Sequence, residues 1–311
     1  MNVVVFGAGS LGSLVGGLLA REHAVTLVGR DPHVAAVGES GLRVGGRFDF
    51  AVAPEATTDG EGLAADLVVV TVKAFDTESA AETLATGEFR AALSLQNGMG
   101  NEEALAQFLD CPVLAGTASY GAVLRDPGFV ECTGEGEVVL GPREGATAPI
   151  ADEVGRAFRA AGIETAVADD MPRRLWEKLA VNAGINATTA LARVENAAVL
   201  DGPAREVATA AARETARVAR AEGVDLPEDE AVAALERVAD DTADNASSML
   251  QDVLAGRRTE VGAITGHVCA RARERGVSVP VNRTLTDLLR AWESGRNEDR
   301  SGSRGSDGPE P

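Results

Sequence analysis

A chain of 311 residues with 45% hydrophobic content and a mean hydropathy of -0.02 is long enough for two globular domains and has neither a membrane nor a disordered composition. Its 48 acidic against 29 basic side chains, net −19, exclude nucleic acid as a partner and suit a protein that works in high salt, where self-repulsion is screened. The three cysteines (Cys111, Cys132, Cys269) and three histidines (His23, His33, His267) are scattered singly, which excludes a disulfide framework and a metal site of short ligand spacing and points to the cytoplasm.

The uncharged run 3–20 raises the question of a membrane span or signal peptide. Five glycines interrupt it, no basic segment precedes it, and its β-branched start (residues 3–6) reads as a buried strand, so neither is expected. Directly after that strand and before an apolar helix stands GAGSLG: Gly7, Ala8, Gly9, Ser10, Leu11 and Gly12. In that context the motif is a dinucleotide-binding fingerprint. Gly7 permits a tight turn, Gly9 lets backbone approach a pyrophosphate, Gly12 allows close helix packing, and the helix N-terminus turns N–H groups toward anionic oxygens.

The second strand, 25–28, ends in Gly29 and Arg30 where an NAD site carries Asp or Glu. The guanidinium suits a 2′-phosphate and favours NADP(H), while the adjoining Asp31 leaves NAD(H) open. Further strands are expected at 67–72, 92–95 and 113–115, with antiparallel glycine-turn pairs at 41–52 and 129–140 and the mixed sheet ending near Val167. This alternation predicts an α/β, Rossmann-type domain over 1–168. Lys73 follows its strand at the carboxyl edge, where a cofactor phosphate is a suitable partner. Asn97, in QNGMGNEE, follows the next one, either as a cofactor or substrate contact or as an ordinary Asn-Gly turn.

Residues 169–293 turn to Ala, Arg, Glu and Leu with helical periodicity, an all-helical substrate and catalytic domain divided into five or six helices at 223–227, Gly256 and 276–280. Lys73 and Lys178 are the only lysines among the 29 basic residues, and a lysine, unlike arginine, can be tuned to give up a proton. On a helix Lys178, Asn182 and Asn186 share one face, drifting about 40° per step. Buried carboxamides cost stability unless they find partners, so this stripe points to a polar ligand. Asn196 follows at a turn. In SSMLQDVLAGRRTE, Ser247, Ser248 and Asp252 lie on a helix that Gly256 ends, and Thr259 reads as the N-cap of the next helix with Glu260 in its first turn. A carboxylate there serves the helix dipole as readily as chemistry. Residues 294–311, without an apolar side chain to bury, read as a disordered acidic tail.

GAGSLG, VGR, VTVKAF, LQNGMGNEE, WEKLAVNAGIN with the later Asn196, and SSMLQDVLAGRRTE occur in that order over 1–292. Together they resemble the ketopantoate reductase (2-dehydropantoate 2-reductase) family, NADPH-dependent enzymes on the pantothenate route to coenzyme A. The resemblance implies that Gly7, Gly9 and Gly12 hold the pyrophosphate, that Arg30 and Lys73 meet the 2′-phosphate, and that Asn97 lies near the nicotinamide. It also implies that Lys178 is the proton donor, that Asn182, Asn186, Asn196 and Ser248 bind the hydroxyl and carboxylate groups of ketopantoate, and that Glu260 stands near the reacting oxygen. The acidic composition and the tail depart from the familiar bacterial pattern without touching these motifs. A reductase of another small 2-keto acid would use similar contacts, a non-enzymatic NADP(H) sensor would share the fold, and a homodimer is compatible with any of these.

Overall fold

The computed structural model describes the backbone of residues 1–302 and the side chains of residues 1–296. Two compact units emerge, Met1–Leu175 and a second from Trp176 on.

The first unit runs β1 (Asn2–Phe6), α1 (Ser10–Leu19), β2 (Ala24–Val28), α2 (His33–Ser40), β3 (Leu42–Gly46), β4 (Phe50–Val52), β5 (Glu55–Thr57), β6 (Ala64–Val70), α3 (Thr77–Leu84), β7 (Glu88–Ser94), α4 (Asn101–Phe108), β8 (Val113–Ala118), β9 (Gly121–Asp126), β10 (Phe129–Gly134), β11 (Val138–Pro142), α5 (Pro149–Ala160) and β12 (Thr165–Val167). Eight strands form one sheet in the order β12-β11-β8-β7-β6-β1-β2-β5, parallel except where β11 meets β8. Its central strands are apolar on both faces, as burial on both sides requires. Val3 and Val5 of β1 and Leu67 and Val69 of β6 join one core with α1 and α5, while Val4, Val68 and Val70 join another with α3 and α4. That division is the period-two alternation of a strand.

Four strands form a second sheet, β4-β3-β10-β9, whose Leu42, Val44, Val130 and Cys132 pack into the core that contains α1. The pair expected over 41–52 is there as β3 and β4. The pair expected over 129–140 is not: β10 turns back from β9 through Pro127 and Gly128, whereas β11 leaves for the large sheet and pairs with β8. Val138, Val139 and Leu140 are all buried, so they need cover on both faces, which the large sheet gives.

The second unit is helical: α6 (Met171–Ala192, beginning in the first unit), a 3-10 turn (Asn196–Leu200), α7 (Gly202–Ala221), α8 (Glu228–Asp241), α9 (Ser248–Leu254), α10 (Thr265–Arg275) and α11 (Pro280–Gly302). A Cβ on Gly184 would stand 2.2 Å from Leu235 Cδ1 and 2.7 Å from the Ala208 oxygen, so glycine lets α6 lie close against α7 and α8. Glu214 of α7 caps α11 by accepting the Val281 and Asn282 N–H groups at 3.0 and 2.9 Å. The helix runs through Gly302, so the tail expected to be disordered from 294 is helical over its first part. Ser294 Oγ returns to the Arg290 oxygen and Arg296 lies 5.1 Å over the Trp292 ring, local contacts that continue a helix without a core to bury. Residues 303–311 lie outside the described residues. Among the described residues no helix is long and apolar enough to cross a membrane.

Candidate active site

In the large sheet the chain order reverses at β1: β2 and β5 lie to one side, β6, β7 and β8 to the other. Ligands of open α/β sheets bind beyond the carboxyl ends of the strands at such a switch point. Gly7 follows β1 there, with φ +116°, and a Cβ on it would stand 2.6 Å from the Val72 nitrogen. A Cβ on Gly12 would stand 2.2 Å from the Gly7 oxygen and 2.5 Å from Thr71 Oγ1. Glycine is therefore required at both positions by the protein itself, and Thr71 Oγ1 locks the turn by donating to the Gly7 oxygen at 2.9 Å.

Gly9 differs. A Cβ there would find no protein atom nearer than the Gly7 oxygen at 3.9 Å. Gly9 caps α1, so the N–H groups of Ser10, Leu11 and Gly12 fall in a first turn where the helix supplies no acceptor. Open space above amides that the helix leaves without an acceptor, at its positive end, fits a diphosphate. Ala8 is tied back by its N–H to the Val28 oxygen at 2.8 Å, and Ser10 Oγ accepts the Leu124 N–H at 3.1 Å. His33, buried beneath α1, accepts the Gly128 N–H on Nδ1 at 3.1 Å, so Nε2 carries the hydrogen toward Ser13 Oγ at 2.9 Å. Burial pushes its pKa down, and it is a satisfied, neutral core histidine.

Beyond β2, Arg30 is exposed and its guanidinium lies 3.1 Å from Asp76 Oδ2. Asp76 closes the short 3-10 turn after β6, its N–H reaching the Lys73 oxygen at 2.8 Å. The Arg30 guanidinium thus meets the segment that carries Lys73. The Lys73 segment is joined in turn to the Asn97 segment by a buried chain. Gln96 Nε2 donates to the Val72 oxygen at 3.0 Å and to Thr77 Oγ1 at 2.7 Å, Thr77 Oγ1 donates to Asn101 Oδ1 at 2.9 Å, and Asn101 Nδ2 donates to the Asn97 oxygen at 3.1 Å. Sequence reading singled out none of Gln96, Thr77 and Asn101.

In the second unit Lys178 and Asn182 are half-buried and Asn186 is buried along one face of α6. One turn further, Thr189 Oγ1 shares a hydrogen bond of 2.7 Å with Ser247 Oγ, which also accepts the Leu250 N–H as N-cap of α9. Ser248, first residue of α9, is exposed beside it. Asn196 is buried, its N–H bonded to the Asn245 oxygen at 3.0 Å and its Nδ2 to Thr242 Oγ1 at 2.9 Å. Thr242 donates its own hydrogen to the Val238 oxygen, which fixes the Asn196 amide and leaves Oδ1 a buried acceptor without a partner. The contacts of Thr189 and of Asn196 bring the 242–248 loop to the end of α6 and to the 3-10 turn, and with it Ser248 to the neighbourhood of Asn186 and Asn196.

Glu260 is buried, but the helix expected to begin beside it does not. Residues 261–264 form a turn and α10 starts at Thr265. Thr259 accepts the Val261 N–H at 3.3 Å, yet its own N–H and hydroxyl both go to Glu293 Oε1 of α11 at 2.7 Å, so a tertiary anchor replaces a capped helix start. Ser247 likewise stands outside α9, as its cap. Elsewhere in this unit Glu222, at the end of α7, holds Arg271 and Arg275 of α10; its carboxyl is brought down to about 2, first by the Arg271 hydrogen bond and then by that of Arg275, against the burial that pushes it up.

The profile described as Ketopantoate reductase PanE/ApbA matches residues 3–145, and the one described as Ketopantoate reductase PanE/ApbA C terminal matches residues 170–293. The chain belongs to the ketopantoate reductase family. It is accordingly an oxidoreductase. It is 46% identical to a 2-dehydropantoate 2-reductase of Halobacterium salinarum, over 93% of this chain and 98% of that protein, and 41% identical to one of Archaeoglobus fulgidus, over 94% and 98%. The crystal structure of a PanE/ApbA family ketopantoate reductase from Ralstonia eutropha superposes with a TM-score of 0.87 at 34% identity, covering 96% of this chain and 100% of that one. A D-mandelate dehydrogenase bound to NADH and anilino(oxo)acetate superposes with a TM-score of 0.89 at 25% identity, covering 96% and 99%. A ketopantoate reductase and a D-mandelate dehydrogenase thus share this fold.

Proposed function

We propose that the chain is a cytoplasmic enzyme that reduces ketopantoate (2-dehydropantoate) to pantoate with NADPH, the reductive step of pantothenate and coenzyme A biosynthesis. The observation that carries the reading is the Lys178, Asn182, Asn186 face of α6, in a chain whose other unit has a glycine turn and a helix N-terminus at its switch point. The names of the relatives support the substrate.

Bound NADPH supplies the hydride that adds to C2 of the keto acid. The amides of the first turn of α1 and the open space at Gly9 take the diphosphate, Arg30 and Lys73 take the 2′-phosphate, and Asn97 steadies the nicotinamide end. Lys178 directs its ammonium at the C2 carbonyl oxygen, stabilises the charge that grows there, and gives that oxygen a proton, which it regains from solvent. Asn182, Asn186, Asn196 and Ser248 hydrogen-bond the carboxylate and hydroxyl groups of the substrate. Glu260 orients the lysine or the new hydroxyl.

The mandelate dehydrogenase neighbour supports a second reading, reduction of another 2-keto acid. Oxidation of NADPH is measured in high salt with ketopantoate, 2-ketoisovalerate, oxaloacetate and an aryl 2-keto acid. The proposal expects ketopantoate to have the highest kcat/KM. A preference of tenfold (about 1.4 kcal/mol) or more for another acid replaces ketopantoate as substrate, and clear NADPH binding without turnover of any of the four refutes the proposed reaction.

A further inference from the structure

Gln96, Thr77 and Asn101 are 6%, 2% and 3% exposed, and their hydrogen bonds run in one forced direction. The carbonyls of Val72 and Asn97 can only accept, so they fix the NH₂ side of both carboxamides. Thr77 accepts from Gln96 and has one hydrogen, which goes to Asn101 Oδ1. Ser94 Oγ donates to Gln96 Oε1 at 3.4 Å. Folding alone does not demand such a chain, because replacing buried polar partners by apolar groups of the same shape is often neutral. A fully satisfied buried network does something an apolar one does not: it permits one arrangement of the segments it joins. The segments joined here are 72–77, which carries Lys73, and 96–101, which carries Asn97.

We propose that Thr77, Gln96 and Asn101 are positioning residues that hold the Lys73 and Asn97 segments as one rigid piece, so that a dinucleotide anchored at Lys73 meets the Asn97 segment at a fixed separation. The inference rests on the NADPH reading above. It assigns the network to hydride transfer more than to affinity. The phosphate contacts survive its loss, whereas a displacement of about 1 Å at the reacting carbon costs up to about 10²-fold in rate.

The test uses the full-length protein with Thr77→Val, which keeps shape and removes the hydroxyl, and Thr77→Ser, which restores it. NADPH affinity is titrated by fluorescence, kcat is measured with ketopantoate and with NADPH deuterated at the transferring position, and hydrogen exchange of amides 97–101 is followed without cofactor. For Thr77→Val the expected result is a kcat lower by about 10- to 100-fold, a Kd within about threefold of wild type, and a larger isotope effect, because transfer becomes the slow step. Exchange at 97–101 quickens, and Thr77→Ser behaves as wild type in every measurement. Should Thr77→Val fail to fold, Asn101→Ala, which deletes the tether to the Asn97 carbonyl, must show the same split. Wild-type kcat in the variants, a loss confined to Kd, or a Thr77→Ser as impaired as Thr77→Val overturns the proposal while the NADPH reading stands. A wild type that binds no NADPH overturns both.

Discussion

Alanine at Gly9 and at Gly12 should separate cofactor binding from folding, because the two glycines stand three residues apart in opposite surroundings. Gly9 has extended backbone, φ −86° and ψ −158°, and its added Cβ would touch only the Gly7 oxygen, at 3.9 Å. The free protein should lose no more than about 1 kcal/mol in Gly9→Ala, the difference between glycine and alanine as an N-cap. The methyl group would instead fill the space through which a diphosphate reaches the first-turn amides, and NADPH affinity should fall by about 10- to 100-fold, or about 1.4–2.7 kcal/mol. At Gly12 the added Cβ would lie 2.2 Å from the Gly7 oxygen and 2.5 Å from Thr71 Oγ1, against an ordinary carbon–oxygen contact of roughly 3.3 Å. Relief requires α1 to retreat by about 1 Å from β1, an overpacking cost of about 1–3 kcal/mol. In a unit of this size that lowers the melting temperature by about 3–10 °C. Thermal melts with and without NADPH, beside a fluorescence titration, separate the two effects. If Gly9→Ala binds NADPH like wild type, or Gly12→Ala melts with wild type, the reading of this turn as an anion cradle with a packing glycine behind it is refuted.

Lys178→Arg keeps the charge on α6 but not the ability to release a proton, so kcat should fall by about 10²- to 10⁴-fold with NADPH affinity retained; more than about a tenth of wild-type turnover would mean that another group supplies the proton. Arg30→Glu should raise the KM for NADPH far more than that for NADH, and Asp76→Asn, which releases the guanidinium from its 3.1 Å partner, should shift the preference the other way; unchanged kinetics with both cofactors would place the 2′-phosphate elsewhere. Because the Glu222 carboxyl is held down to about 2, its stabilisation is complete above the ordinary glutamate range and is lost as pH falls through about 2. Glu222→Gln should therefore cost about 1–3 kcal/mol near pH 7, after discount for its partly exposed arginine partners, and progressively less in acid, as read from denaturant melts over pH. Full stability and activity in dilute buffer, equal to those in multimolar KCl, would contradict the high-salt reading of the −19 net charge.

The β1–turn–α1 cradle was legible because its determinants are contiguous: an apolar strand, glycines at fixed offsets and an apolar helix. The face shared by Lys178, Asn182 and Asn186 was legible for the same reason, since helical geometry alone sets it. What sequence reading missed depends on partners far apart in the chain. Nothing local distinguishes 138–140 as a strand of the large sheet from the second arm of a hairpin, because what decides it is cover on both faces. Gln96 bonds Thr77 across 19 residues, Thr77 bonds Asn101 across 24, and Glu293 reaches Thr259 across 34, and no periodicity announces such pairs. Thr259 shows the limit of a cap signature: its hydroxyl does accept a downstream N–H, yet the anchor on Glu293 gives it a role without a helix start.

The bond between Leu124 and Ser10 also bears on association between molecules. β9 is an outer strand of the second sheet, and the outward N–H groups of such a strand are ready to pair with another chain. Here the Leu124 N–H is taken by the Ser10 hydroxyl of α1. The helix whose first turn is proposed to hold the diphosphate therefore also takes up an outward N–H of β9. At the opposite rim β4 has three residues and Asp49 just before it, too short and too charged a template to recruit a neighbour. Loss of the Ser10 hydroxyl would be felt first as a tendency of concentrated protein to self-associate along β9.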